Sequence, residues 1–524
     1  MNDATEDRLP KSTTTNIQSG YERTARHSCS TFRVSIALMS CILPGCSTQL
    51  PLKPPAIPVE GNYGTNPKLA QPVVAGEPIQ RIVFGGKLSA DWWTLFHSKQ
   101  LEKVVKLALA KNPDLAAAEA NLKAAQEVAK AARGALFPRI DFSADAQRQR
   151  QNFASFGLKY PPTTFNNFSV GTTVNYSLDV FGRNRYQIEK RVAQADVQMY
   201  QRDAVYLSLT GNVITDAIQI ASLRAQIKAY GQIFACDRRT LSLTRQRVSV
   251  GVVSEARVAE AETKLASDRM ALPVLRQRLS AVRHDLSVLV GNPPAQWKPP
   301  QFSLSHFQLP TDLPSALPSQ LVRRRPDILA AEAELRAASA TVGVATANLY
   351  PDITITGGIA QSGAASLLNW PATVWSVGGG LVAPIFNGGA LTAQRRAAKD
   401  SYIAASETYQ RVILNAFAQV ADILDALQHD TELLSDSDVM LNAANHTLTI
   451  AQHNYQVGNV GLLNLLSAQR HQQRALLAHI RAKSQRYSDS AALFLAMGGG
   501  WWKQPGLKSA AVNEIGVASH GALQ

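Results

Sequence analysis

The sequence predicts a mainly α fold with a smaller membrane β part. It is built from two tandem repeats, each giving a β-hairpin and a long α-helical hairpin. Three observations carry this expectation. One helical phrase is written twice, PDLAAAEANLKAA at Pro113–Ala125 and PDILAAEAELRAA at Pro326–Ala338, with nine of thirteen positions identical. Behind each copy, apolar and polar residues alternate with period two, the mark of a strand with two unlike faces. Behind each alternating segment runs a long stretch without proline, Arg183–Val250 and Gly389–Val457.

Further landmarks extend the duplication. Phe137-Pro138 is answered by Tyr350-Pro351, Val250-Gly251 by Val457-Gly458, and Val290-Gly291 by Met497-Gly498. The spacing shrinks between the first pair and the second, so the first copy carries an insertion within Pro138–Gly251. The expected organisation is a leader and signal peptide over 1–45, a lipid-anchored Pro-rich lead-in over 46–98, repeat one over 99–311 and repeat two over 312–502. A flexible small-residue tail over 503–524 closes the chain.

Each repeat opens with an Ala-rich helix, Leu101–Leu136 and Pro318–Leu349. Pro113 and Pro326 stand where a helix can start afresh, and the Asp after each favours a helix N-terminus. Pro138 and Pro351 stop these helices. Ile140, Phe142, Ala144 and Ala146 then interleave with polar residues, as do Val170, Val174, Tyr176 and Leu178. In the second copy Ile353, Ile355 and Ile359 alternate with polar residues, and Trp375, Val377 and Leu381 share one face. Two hairpins, four strands in all, follow, each strand about 10–15 residues, enough for a tilted membrane strand. The proline-free stretches would make helices on the order of 100 Å long, needing neighbours along their whole side. Each ends at Val-Gly, where glycine can take the left-handed cap conformation. Return helices follow at Ser254–Val290, with a kink expected at Pro273, and Leu462–Met497.

The 524 residues are 18% charged and 45% hydrophobic, with a net charge of +14 and a pI near 9.6. The basic residues are scattered. The densest runs, Arg323-Arg324-Arg325 and Gln147-Arg148-Gln149-Arg150, are short, so a solvated basic surface is favoured over nucleic-acid binding. The four cysteines, Cys29, Cys41, Cys46 and Cys236, form neither a disulfide framework nor a CxxC pair. Residues 34–46, VSIALMSCILPGC, form an apolar run too short to span a bilayer as a helix but suited to a signal-peptide core. The small residue before Cys46 resembles a bacterial lipobox, although Pro44 departs from that pattern. Ser47 after the cysteine implies outer-membrane sorting.

Four strands cannot close a membrane barrel, which needs about eight, and open edges are not tolerated in lipid. Several copies must therefore share one barrel. Phe168, Tyr176, Trp370 and Trp375 are candidates for its aromatic girdle. The ordered set NPDL, FPRI, LDVFGR, VG, LVGNPP, then RRPDI, YPDI, PIFNGG, VG, AMGGG resembles the TolC-like outer-membrane factors over about residues 80–500. With the lipobox it is most similar to their NodT-type lipoprotein branch. The resemblance implies a homotrimer with a shared 12-stranded β-barrel on a periplasmic α-helical barrel, in the outer membrane of a Gram-negative bacterium. It implies a periplasmic adaptor and an inner-membrane transporter, RND type, as partners. The expected function is passive efflux, with no enzyme activity, cofactor, metal or nucleic-acid partner.

By the same resemblance Cys46 is the lipid-attachment site. Val250, Gly251, Val457 and Gly458 are the adaptor-contacting tips. Asn464 and Ser467 line the entrance, and Pro138, Gly182, Pro351 and Gly388 mark the barrel–helix junctions. Many relatives carry aspartates where Asn464 and Ser467 stand, so an entrance ring here would be neutral. Glu255, Glu260 and Glu262 could supply negative charge near the first tip, or form a solvated face. Against an enzyme, the sequence has no HExxH, GxSxG or P-loop. His446 and His453 are expected on a helix surface, and the acidic group Asp430, Glu432, Asp436 and Asp438 on a solvated one. The alternatives are a duct for type I protein secretion and a lipid-tethered periplasmic scaffold.

Overall fold

The computed structural model describes residues 80–84, 89, 91–152, 157, 161–315, 318–363 and 373–500. The leader, Cys46, Trp370 and the tail over 503–524 lie outside the described residues. Two compact units are present: a strand unit over 140–183 and 346–384, and a helical unit from the rest of the described chain. Each sequence repeat contributes to both. No helix among the described residues is long and apolar enough to cross a membrane, which says nothing of a β-barrel.

The helical unit begins with α1 (Lys99–Lys111) and α2 (Pro113–Arg133). The single helix expected over Leu101–Leu136 is thus two, followed by a short 3-10 turn at Gly134–Leu136. Asn112 sits before a proline, which disfavours helical backbone, and adopts φ −65°, ψ 125°. Its Oδ1 accepts from the Leu115 N–H at 2.9 Å, capping α2. Its Nδ2 donates to the Leu289 carbonyl at 3.0 Å. The second copy breaks likewise, into α5 (Pro318–Leu321) and α6 (Pro326–Ala347).

The long helices α3 (Arg183–Ser249) and α7 (Ala390–Gln456) have 67 residues each. The returns α4 (Glu255–Leu289) and α8 (Leu462–Ala496) have 35 each. At about 1.5 Å per residue, α3 and α7 are each about 100 Å long. Pro273 lies inside α4, which continues through it. Gly211 marks a close approach, since a Cβ there would collide with the Leu495 side chain of α8. Because the helices match in length, the insertion in the first copy belongs to its strand hairpin.

Three remote stretches meet in one core. Strand β1 (Arg81–Phe84), from the lead-in, pairs in parallel with β4 (Asp312–Ser315), at the junction where repeat one gives way to repeat two. Trp92, Trp93 and Phe96 follow β1 and are buried. Trp92 stacks on Phe494 of α8 at 5.3 Å, and the Tyr487 hydroxyl donates to the Phe307 carbonyl at 2.9 Å. Arg486 donates through Nε to Gln80 at 2.7 Å.

In the strand unit β2 (Arg139–Gln151), β3 (Thr163–Leu178), β5 (Asp352–Gly363) and β6 (Thr373–Val382) form one sheet in the order β2-β3-β5-β6. β5 runs antiparallel to both its neighbours. Gly357 lies between Val174 and Val377, and Ile359 between Thr172 and Trp375. Directly opposed residues share a face, so one face gathers Val174, Tyr176, Ile353, Ile355, Val377 and Leu381. The other carries Thr173, Asn175, Thr354, Thr356 and Ser376. This is the two-faced sheet that the alternation predicts. At its base Phe181 stacks on Tyr350 at 4.8 Å, and Ser177 donates to Asp352 at 3.0 Å.

The register separates two neighbouring positions. Val174→Arg should destabilise a bilayer-embedded barrel by about 2–4 kcal/mol near the midplane, whereas Thr173→Arg, on the polar face, should cost much less. Urea unfolding in lipid vesicles measures both, and equal costs would refute the assignment of faces.

Candidate functional site: the hairpin tips

Each long helix ends in the same backbone motif. At the first tip the Gly251 N–H donates to the Val248 carbonyl and the Val252 N–H to that of Arg247. At the second, Gly458 donates to Tyr455 and Asn459 to Asn454. These paired bonds form a Schellman ending, which needs a left-handed residue. Gly251 has φ 74° and Gly458 φ 79°. The return helices close in the same way at Gly291 and Gly498, with φ 69° and 88°. All four Val-Gly and Met-Gly landmarks are therefore one helix ending used four times.

The tips are exposed. Val250 is 71% accessible and Val457 55%, and nothing stands within 4 Å of a Cβ built on Gly251 or Gly458. Gly461 starts α8 with extended backbone. Asn464 and Ser467, three residues apart on α8, are both exposed. Of the three acids near the first tip, Glu260 pairs with Arg257 at 2.9 Å and Glu262 with Arg245 at 2.6 Å, while Glu255 is exposed. Gly182 immediately precedes α3 with φ 79°. Its counterpart before α7 is Gly389 (φ 82°), one residue beyond Gly388 (φ 62°).

Behind the tips lies a cavity of about 490 Å³ between α3, α4 and α8. Arg247, Arg257, Lys264 and Arg470 line it, with Asp237, Glu260 and Ser467. On its far side four charged side chains join the two hairpins. Arg470 of α8 lies 3.2 Å from Asp237 of α3 and 2.9 Å from Asp268 of α4, and Arg474 lies 3.4 Å from Asp268. Burial pushes the Asp237 carboxyl up to about 6, helped by its hydrogen bond with Asp268 and opposed by Arg470. Burial also lowers Arg470 from its ordinary value. The neighbouring Cys236 sits 3.6 Å from Gln469. Sequence reasoning missed this network. The available signal was a carboxylate midway between Ile233 and Leu241, both buried, on one helical stripe.

The expectation of a solvated acidic surface fails at Asp430. Glu432 and Asp436 are exposed, but Asp430 is buried. Burial, a hydrogen bond with Asp489 of α8 and that residue's charge push it up to about 8. His446 and His453 are exposed, as expected. Among the described residues no group of three or more His, Cys, Asp or Glu side chains is placed to hold a metal.

The family described as outer membrane efflux protein matches residues 104–292 and 317–499. The chain is 31% identical to the pyoverdine export outer membrane protein OpmQ of Pseudomonas putida, over 78% of this chain and 88% of that one. It is 30% identical to the outer membrane protein OprJ of Pseudomonas aeruginosa, over 90% and 96% of the two chains. Among solved structures, the outer-membrane channel OprN superimposes with a TM-score of 0.74 at 26% identity, covering 86% of this chain and 99% of that one.

The buried carboxyls fix a pH dependence. Asp237 and Asp430 stand at about 6 and 8 in the fold, and half-buried Asp216 of α3, raised by desolvation and the charge of Asp285, at about 7, against roughly 3.9 for a free side chain. Each holds its proton more tightly folded than unfolded. Their stabilisation is complete below about 4 and is lost as pH rises through 6 to 8. The helices should melt at a higher temperature at pH 5 than at pH 8 by circular dichroism. Asp430→Asn should flatten the upper part of this dependence. A wild-type melting temperature that climbs between pH 5 and pH 8 would overturn the argument.

Proposed function

Because the chain belongs to the outer membrane efflux protein family, we propose that this outer-membrane efflux channel is a passive, homotrimeric exit duct for small molecules. The carrying observation is the open sheet. The order β2-β3-β5-β6 leaves β2 and β6 with one neighbour each, and one chain has too few strands to close a barrel. Three copies give twelve strands with an apolar outside and a polar lumen.

In this reading the helical hairpins of three chains stand side by side in the periplasm as a tube. An inner-membrane transporter of the RND type supplies the energy, and a periplasmic adaptor engages the tips at Val250-Gly251 and Val457-Gly458. The exposed valines and the open space around both glycines support that contact. Asn464 and Ser467 leave the entrance without an acidic ring. With Glu260 and Glu262 already paired, the tip suits anionic or neutral cargo better than cations. The sequence around Cys46 supports a lipid anchor in the outer membrane.

Gly458→Val forces a β-branched residue into left-handed backbone, at a local cost of roughly 1–2 kcal/mol. Export by a pump-dependent strain should fall severely while heat-resistant trimers persist, read by drug susceptibility and gel mobility together. Full export by this variant would sink the tip assignment. Loss of trimers in the wild-type protein would sink the duct itself.

A further inference from the structure

The basic run Gln147-Arg148-Gln149-Arg150 plays no part in conduction as described above. The structure places it at the end of β2 far from Pro138. The two-residue period of a strand sets Arg148 and Arg150 on the same face as Ile140, Phe142, Ala144 and Ala146. Ile140 and Phe142 are 68% and 71% exposed, and both arginines are exposed as well. The acids of this strand, Asp141 and Asp145, fall on the opposite face. Along the apolar face of β3, β5 and β6, no described position is charged.

Position along the strand sets the depth. From Ile140 to Arg150 the chain advances about 34 Å. Tilted by about 45°, as membrane strands are, this is roughly 24 Å, close to the height of a barrel's apolar band. An arginine facing lipid costs about 2–4 kcal/mol at mid-depth but only about 0–1 kcal/mol at an interface. An arginine pair facing lipid is therefore best tolerated where this one stands, at the end of β2 far from Pro138 and at the rim of the apolar band. Its forked donors match phosphate oxygens in pairs, and the two side chains stand about 7 Å apart along the strand.

We propose that Arg148 and Arg150 form a docking surface for the phosphorylated glycolipid headgroups of the outer leaflet. This rests on the reading of the sheet as one third of a lipid-embedded barrel. In the trimer the surface recurs three times, each beside the β2 edge where neighbouring copies meet. The bound lipid would brace that seam from outside.

The test uses the full-length trimer in phosphatidylcholine vesicles, with lipid A, dephosphorylated lipid A or inorganic phosphate added. Native mass spectrometry counts bound lipid, and the temperature of trimer dissociation is followed in parallel. Lipid A should bind and raise that temperature; dephosphorylated lipid A and inorganic phosphate should not. Arg148→Gln/Arg150→Gln should bind lipid A at least about tenfold more weakly, as expected for lost charge-assisted hydrogen bonds. Arg148→Lys/Arg150→Lys should retain part of the binding and guards against misfolding of the first variant. Equal lipid A binding by wild type and both variants would overturn the proposal. So would stabilisation by inorganic phosphate alone, which would mark a free-phosphate site. Failure of the wild-type trimer to insert would instead refute the barrel reading beneath it.

Discussion

Backbone hydrogen bonding in lipid is the constraint on which the rest depends. A strand edge left open in hydrocarbon exposes N–H and C=O groups that cost several kcal/mol each. Among the described residues this chain offers four strands in one membrane-length sheet and two edges, β2 and β6. It cannot curl them onto each other, because so few strands leave no room for interior side chains. The edges must be satisfied by other copies of the chain. The exposure pattern agrees, since nearly every residue of β2 and β6 is accessible in the single chain whereas β3 and β5, flanked on both sides, are largely half-buried.

The same incompleteness runs through the helices. Leu414, Leu433, Val439 and Ile450 of α7 are all about half exposed or more in the isolated chain. A helix of some 100 Å with such residues along it needs more neighbours than one protomer supplies. The chain's own core takes in only part of α7, such as Tyr409, Ile413, Val420 and Leu424, and is tied together where the lead-in, the link between the repeats and α8 interlock around Trp92, Phe307, Tyr487 and Phe494. That knot explains why the stretch before the first repeat includes buried tryptophans. It also explains why the two repeats are not independent bodies, since the connector between them is half of the β1–β4 pair.

Much of this was legible in the sequence because it rests on local rules. The strand faces follow from period two, and the four helix ends from glycines whose left-handed conformation other residues rarely adopt. The equal lengths of the paired helices follow from the constant spacing of those glycines. What was not legible depends on which face of a long helix meets which neighbour. Over 67 residues the neighbours that bury a given position of α3 or α7 come from remote parts of the chain, so the helix's own sequence shows at most that a polar residue shares a buried stripe, not what it meets. Asp430 looked like Glu432 and Asp436 for this reason, though only Asp430 points at α8. Asp237 escaped notice because an aspartate within a helix gives no sign that Arg470, far away in sequence, will meet it.

That pairing constrains how the tips can move. Arg470 lies about 12 Å up α8 from its start at Leu462, and its ion pairs span α3, α4 and α8. Removing one partner of a buried pair costs about 3–5 kcal/mol, so a rearrangement that parted the hairpins at this level would be expensive. Below it the described residues hold the two hairpins with less: the exposed Arg245–Glu262 pair joins α3 to α4, and the turns themselves carry exposed valines and left-handed glycines. Local motion is therefore cheapest between this ionic collar and the turns. Larger motion would have to break these pairs, and protonation of Asp237, whose carboxyl burial raises to about 6, would weaken them in mild acid.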